Sequence, residues 1–260
     1  TVVNDDGINF ANSTVRGALS ATATDGNIID TGTLTITGAS TFITRDAGSN
    51  IELNSSANAF AAAVTMKADT GGSETFGNIA FVDSEAVKLH SSAGANGDLF
   101  IDGSTNGAVG GTLSITATTG DITQGLAVGV TGTSSFTTSA NNADITLSNT
   151  SNAFASAVTL STTGTTAHVV IDNGTTTLDI AASTVGGDLT LTSGAAAGIT
   201  DSGAVSVAGN LVATTDANSG VINMGTLEVN GTMALTTDGT GDATVVNDDG
   251  INFANSTVRG

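Results

Sequence analysis

Residues 189–209 read LTLTSGAAAGITDSGAVSVAG, and the pattern restarts at Leu211 and again at Met233, at an offset of 22 each time. Within it, Leu189-Thr190-Leu191 and Val205-Ser206-Val207 alternate apolar and polar residues, the period of a strand with one buried face. Leu34-Thr35-Ile36, Val158-Thr159-Leu160 and Leu227-Glu228-Val229 repeat the alternation, and the pairs Phe42/Val64 and Phe136/Val158 repeat the spacing of 22. Between such segments lie clusters such as Asp6-Gly7, Asn173-Gly174 and Asn230-Gly231, which supply turns and positive φ. No sustained helical period runs through the chain. Three short strands and three turns in about 22 residues describe one coil of a β-solenoid. A β-sandwich also has short strands, but it does not require this repetition.

Longer repeats enclose the short one. Residues 1–17, TVVNDDGINFANSTVRG, return unchanged as residues 244–260, at an offset of 243. One full period plus an overlap, taken from a longer tandem array, is the simplest reading. Inside the period, segments starting at Leu19, Leu113 and Leu189 are similar, with separations of 94, 76 and 73, the last to the next copy of Leu19. The sub-repeats are thus about 19–112, 113–188 and 189–243 plus 1–18. Asn58-Ala59-Phe60 and Asn152-Ala153-Phe154 share the offset of 94. The first separation exceeds the last by 21, nearly one coil, which predicts an extra coil near Asp98-Leu99-Phe100-Ile101. The expected fold is all-β, a right-handed parallel β-solenoid (β-helix), continuous over 1–260 with roughly ten coils per period. At the usual strand separation, that is an axial repeat on the order of 48 Å.

Composition agrees with this and excludes much else. The chain has 24 acidic residues against 5 basic ones, 34 Gly, 46 Thr, and no Pro, Cys, Trp or Tyr. Absence of Cys excludes disulfides, thiol chemistry and thiolate metal sites. Binding to a phosphate backbone needs clustered Lys and Arg, so no nucleic-acid partner is expected. No run approaches the roughly 18 apolar residues of a membrane span, and no basic segment precedes an apolar one, so neither insertion nor a leader is expected here. Proline is unwelcome where each strand donates hydrogen bonds to neighbouring coils. One period holds 22 acids and 4 bases, a charge of −18.

The segments GTLTITGASTF (32–42), ANAFAAAVTM (57–66), SNAFASAVTL (151–160) and ASTVGGDLTLTSGAAAGITDSGAVSVAG (182–209) resemble repeats of giant bacterial surface exoproteins. These are the filamentous-haemagglutinin-like, or autotransporter-adhesin-like, β-strand-repeat proteins, and the resemblance covers essentially all 260 residues. It implies an extracellular right-handed β-helix in a secreted, cell-attached or fibrous protein, and it carries over no catalytic residue. The near-identical long period departs from the family's usual divergence and points to a long uniform fibre.

Candidate chemistry is sparse. Asp5-Asp6-Gly7 recurs as Asp248-Asp249-Gly250, with Asp172-Asn173-Gly174 as its counterpart, and Asp238-Gly239-Thr240-Gly241-Asp242 sets two carboxylates in one Gly-rich turn. Such oxygen-rich loops suit Ca²⁺, which takes about six to eight hard ligands. Asp5, Asp6, Asp238 and Asp242 are therefore the candidate Ca²⁺ ligands, and no other metal or cofactor is expected. Neither EF-hand spacing nor the GGxGxDxUx repeat is present; Gly71-Gly72-Ser73-Glu74 and Gly186-Gly187-Asp188 echo the latter only superficially. Asp-Gly and Asn-Gly are also standard turn chemistry, and the turn is the expected role.

His90 and His168 lie in no metal motif and read as structural. Arg16, Arg45, Lys67 and Lys88 are scattered over different coils, without the clustered carboxylates and cation of a polysaccharide-cleaving enzyme. No enzyme is expected. Phe60 and Phe154 occupy equivalent apolar slots and read as core rather than as sugar platforms. Runs such as Thr33-Leu34-Thr35 and Thr116-Ala117-Thr118 hold no constant register, which argues against a flat ice-binding array.

The first expectation is a structural repeat of a very long extracellular fibre, whose partners are adjacent repeats through coil stacking and neighbouring fibres through lateral association. The alternative is an adhesin repeat binding a cell-surface or polysaccharide partner, with the irregular stretch Lys67 to Asn78 as its local loop.

Overall fold

The computed structural model describes residues 1–68, 77–89, 98–101, 108–248 and 250–260. Every regular element among them is a β-strand, and the strands pair in parallel. Among the described residues, no helix is long and apolar enough to cross a membrane. The chain forms two compact units, Thr1–Gly132 and Thr133–Gly260.

In the second unit, strands Leu189–Ser193, Leu211–Thr215 and Met233–Thr236 stack in register, Leu189 opposite Leu211 and Leu211 opposite Met233. The spacing of 22 is therefore the advance of one coil. Each coil continues through a second strand, as in Leu178–Ile180 and Ile199–Asp201, and a third, as in Ser183–Val185 and Val205–Val207. Strand Ile222–Val229 runs through both positions, pairing with Ile199 near its start and with Val205–Val207 near its end. Alternation decides the facing: Leu189, Leu191, Val205 and Val207 are buried, whereas Thr190, Thr192 and Ser206 lie half-buried on the outer side. Each fully buried Leu or Val contributes about 2 kcal/mol. A single coil covers only one side of its apolar residues, so that gain requires stacking.

The first unit has the same build. Its first sheet contains Leu19–Ala23, Ser40–Thr44 and Val64–Ala68, its second Ile28–Asp30, Ile51–Leu53 and Ile79–Asp83, and its third Leu34–Ile36 and Ala59–Phe60. Phe10, Phe42, Phe60 and Phe81 form a chain of ring contacts with centroids 6.1, 6.2 and 5.0 Å apart. Phe42 is completely inaccessible and Phe60 nearly so, and Phe60 and Phe154 are core residues as expected.

Three details depart from the sequence reading. Val64 lies opposite Ser40, not Phe42, and Val158 opposite Ser134, not Phe136. The offset there is 24 rather than 22, because each strand begins at a small inward-facing serine two positions before its phenylalanine. Facing is unchanged, since the strand period is two.

Among the described residues, the longer first sub-repeat adds a strand to one sheet and none to the next. Strand Asp98–Ile101 enters the first sheet between Val64–Ala68 and Val87–Leu89, while Ile79–Asp83 in the second sheet pairs directly with Leu113–Ala117. Consequently Leu19–Ala23 and Leu113–Ala117, similar in sequence, belong to different sheets of this unit.

Glycine at the Asn-Gly and Asp-Gly turns also serves two purposes. Gly174 has a φ of 53° and Gly239 one of 56°, the left-handed region expected of such turns. Gly231 does not: a Cβ there would lie 2.4 Å from the Gly209 carbonyl oxygen, so close approach between coils selects it.

Candidate functional site

The best-organised polar feature of each unit is a ladder at one coil corner. In the second unit the residue just before an inward strand uses its side chain to accept the backbone N–H of its counterpart one coil later. Asp144 Oδ1 accepts from His168, His168 Nδ1 from Asp188, Asp188 Oδ1 from Asn210, and Asn210 Oδ1 from Thr232, at 2.7, 2.9, 2.7 and 2.9 Å. In the first unit Asn27, Asn50 and Asn78 do the same for Asn50, Asn78 and Thr112, each at 2.8 Å.

Backbone bonds run back in the other direction. Val169 donates its N–H to the Asp188 carbonyl at 2.8 Å, and Leu189 donates to that of Asn210 at the same distance. The corner N–H that the strand ladder leaves over is thereby satisfied.

His168 is thus structural, as its sequence context suggests. Because its Nδ1 accepts an N–H, the ring proton sits on Nε2. The Asp188 carboxylate lies 3.6 Å from the same Nδ1, with both side chains partly exposed. His90 falls outside the described residues, as do Gly71 to Glu74 and most of the Lys67 to Asn78 loop.

A second polar set is buried. Asn58, fully inaccessible, accepts the Leu34 N–H at 2.8 Å and donates to Asp30 Oδ2 at 2.6 Å. Asp83 Oδ1 accepts the Phe60 N–H at 3.2 Å. In the second unit Asn173 does the equivalent for Phe154: it accepts that N–H at 2.7 Å and donates to the carbonyls of Phe154 and Thr177. Burial pushes Asp83 up to about 6, against the opposing pull of the Phe60, Glu85 and Ser84 N–H groups, with the nearby Glu85 charge adding to the rise. Burial also raises Asp172; its bond from the Gly174 N–H opposes the rise and the Asp216 charge adds to it.

The four candidate Ca²⁺ ligands lie in exposed turns. In the first unit Asn4 closes the Asp5-Asp6 turn by donating to the Gly7 carbonyl at 2.9 Å, and Thr24 Oγ1 lies 3.4 Å from Asp5 Oδ1. In the second unit the Asp238 carbonyl accepts the Gly241 N–H at 2.9 Å, and the Asp242 carbonyl accepts from Ile222, one coil earlier, at 2.9 Å. Among the described residues no group of three or more His, Asp or Glu side chains is gathered as a metal would require.

Residues 1–67, 84–161 and 166–223 match a family described as repeats of unknown function, DUF5649. The chain belongs to this repeat family. No curated protein and no solved structure matches it significantly. All three DUF5649 segments contain corner-ladder residues: Asn27 and Asn50 in the first, Asp144 in the second, His168, Asp188 and Asn210 in the third. The sequence reading missed the ladder. Its signal was an Asn, Asp or His directly before an inward aliphatic residue, as in Asn27-Ile28, Asn50-Ile51, Asn78-Ile79 and Asn210-Leu211. Chemically, this arrangement clamps one coil to the next.

Proposed function

We propose that this DUF5649 chain is a structural repeat of a very long extracellular fibre, serving as the stalk, sheath or surface filament of a bacterial exoprotein. The observation that carries the reading is where its polar side chains are used. Asp188, Asn210, Asn58 and Asn173 all bond to backbone groups of a neighbouring coil or turn, in a chain whose opening sequence TVVNDDGINFANSTVRG returns at an offset of 243. Coil-to-coil hydrogen bonding stiffens such a rod along its axis.

The charge of −18 per period keeps the rod soluble and separates it from its neighbours. Where fibres do associate laterally, divalent cations bridge their acidic faces. The work of this segment is mechanical rather than catalytic. The likeness of its segments to filamentous-haemagglutinin-like repeats supports a place at the cell surface.

Immunogold labelling of intact cells with antibody against the 260-residue chain tests the reading. Label along filaments outside the cell, without permeabilisation, is the expected result. Label that appears only after permeabilisation would refute it.

A further inference from the structure

The sequence TVVNDDGINFANSTVRG occurs twice, and the two copies have complementary neighbours. Residues 1–17 pair on their C-terminal side of the stack: Val2 with Ala21, Phe10 with Asp30, and Thr14 with Thr35. Residues 244–260 pair on the opposite side, with earlier coils: Val245 with Met224, Phe253 with Met233, and Thr257 with Thr236. Val2 and Val245 are the same position of the repeated segment, as are Phe10 and Phe253, and Thr14 and Thr257. Each position is therefore seen bonded on one side in one unit and on the other side in the other.

Two local hydrogen bonds recur in both copies. Asn4 Nδ2 donates to the Gly7 carbonyl at 2.9 Å, and Asn247 Nδ2 to that of Gly250 at 3.1 Å. Ser13 Oγ donates to Ala11 at 2.8 Å, and Ser256 Oγ to Ala254 at 3.1 Å. Facing also agrees. Val2 and Val245 both lie opposite buried residues, Ala21 and Met224, whereas Thr14 and Thr257 lie opposite residues on the outer side. At two inward positions, exposure reports whether a coil follows. Ile8, with a coil after it, is 7% exposed, whereas its twin Ile251 is 46% exposed. Phe10 makes an edge-on contact with Phe42, whereas Phe253 is 55% exposed.

We propose that the open side of residues 244–260 is the docking surface for residues 18–42 of a second copy of the period, so that the repeated segment becomes an ordinary internal coil with strand partners on both sides. Phe253 then lies between Met233 of its own period and the counterpart of Phe42 in the next. This joint deepens the fibre reading and rests on it: successive periods share one hydrogen-bonded stack instead of being rods joined by a linker.

The test is a two-period chain, residues 1–243 followed by residues 1–260, digested with trypsin under native conditions. Each period offers few cleavage sites, among them the arginine of the repeated segment, and cutting at its central copy releases two halves of recognisable size. The account expects this central arginine to be cut no faster than Arg45, and at least ~100-fold more slowly than in the unfolded chain. Rapid cutting there with Arg45 still protected would overturn the joint and leave the solenoid reading intact. Rapid cutting at Arg45 as well would mean that the stacking itself is wrong. Phe253→Asp in the central copy alone should accelerate central cleavage at least ~10-fold while Arg45 stays protected. An unchanged rate would contradict burial of that ring at the joint.

Discussion

Asn210 donates its backbone N–H to Asp188 Oδ1 across 2.7 Å, and its side-chain amide reaches the same oxygen at 3.1 Å. One residue thus ties its coil to the previous one twice, and through its own Oδ1 to the next coil at Thr232. Asn210→Ala removes the acceptor and the side-chain donor at a corner that water can reach in part. The expected loss is about 1–2 kcal/mol, read as a lower urea midpoint at unchanged slope. Asn230→Ala, at an exposed turn, should stay within about 0.5 kcal/mol of the parent.

Asn173 is fully buried, and three hydrogen bonds converge on its amide. Asn173→Leu strands the buried Phe154 N–H and carbonyl and removes the partner of the half-buried Thr177 carbonyl. A loss of about 3 kcal/mol or more is expected in the same urea experiment, well beyond that of Asn210→Ala.

Asp83 sets a pH dependence of unusual sign for a carboxylate. Its folded value, about 6, lies above the ordinary 3.8, so the folded state holds the proton more tightly than the unfolded chain does. Its contribution is therefore fully present below about pH 3.8 and is lost as pH rises through about 6. The change amounts to about 3 kcal/mol. Asp83→Asn keeps an acceptor for the Phe60 N–H and cannot ionise, as Asn173 already does for Phe154. Unfolding midpoints between pH 4 and 8 should show the variant more stable than the parent at pH 8 and nearly equal to it at pH 4.

Gly209 and Gly225 should respond oppositely to alanine. A Cβ on Gly209 would fall 2.3 Å from Asp188 Oδ1 and 2.7 Å from the Gly187 carbonyl oxygen, whereas one on Gly225 would meet nothing within 4 Å. Gly209→Ala pushes two coils apart at the corner ladder and should cost about 1–3 kcal/mol. Gly225→Ala should be neutral or slightly stabilising, since it removes freedom from the unfolded chain. Thermal midpoints of the two variants check both.

Much of this was legible in the sequence because a solenoid writes its geometry along the chain. Leu189, Leu211 and Met233 announce the coil advance directly, since in-register parallel strands make a spatial neighbour a constant sequence offset. The pairs Phe42/Val64 and Phe136/Val158 misled by two positions. The first large apolar side chain does not mark the strand start: the strands begin at Ser40 and Ser134, buried residues whose hydroxyls have no hydrogen-bond partner among the described residues.

The corner ladder was invisible to a search for apolar periodicity. Its residues are polar, chemically mixed (Asp144, His168, Asp188, Asn210) and separated by 24, 20 and 22 positions, so no single spacing reveals them. Nor could sequence similarity tell that Leu19 and Leu113 lie in different sheets. That exchange depends on how strand Asp98–Ile101 enters one sheet and is bypassed in the other.

The central claim is that successive coils are parallel layers, each strand pair keeping one offset along its length. Interstrand amide contacts measured by NMR across Leu189–Ser193, Leu211–Thr215 and Met233–Thr236 test it most directly. The account predicts contacts linking Thr190 with Val212 and Val212 with Ala234, so that the difference between partner numbers stays at 22 along each strand. Contacts whose partner numbers instead keep a constant sum, the mark of antiparallel pairing, would contradict it.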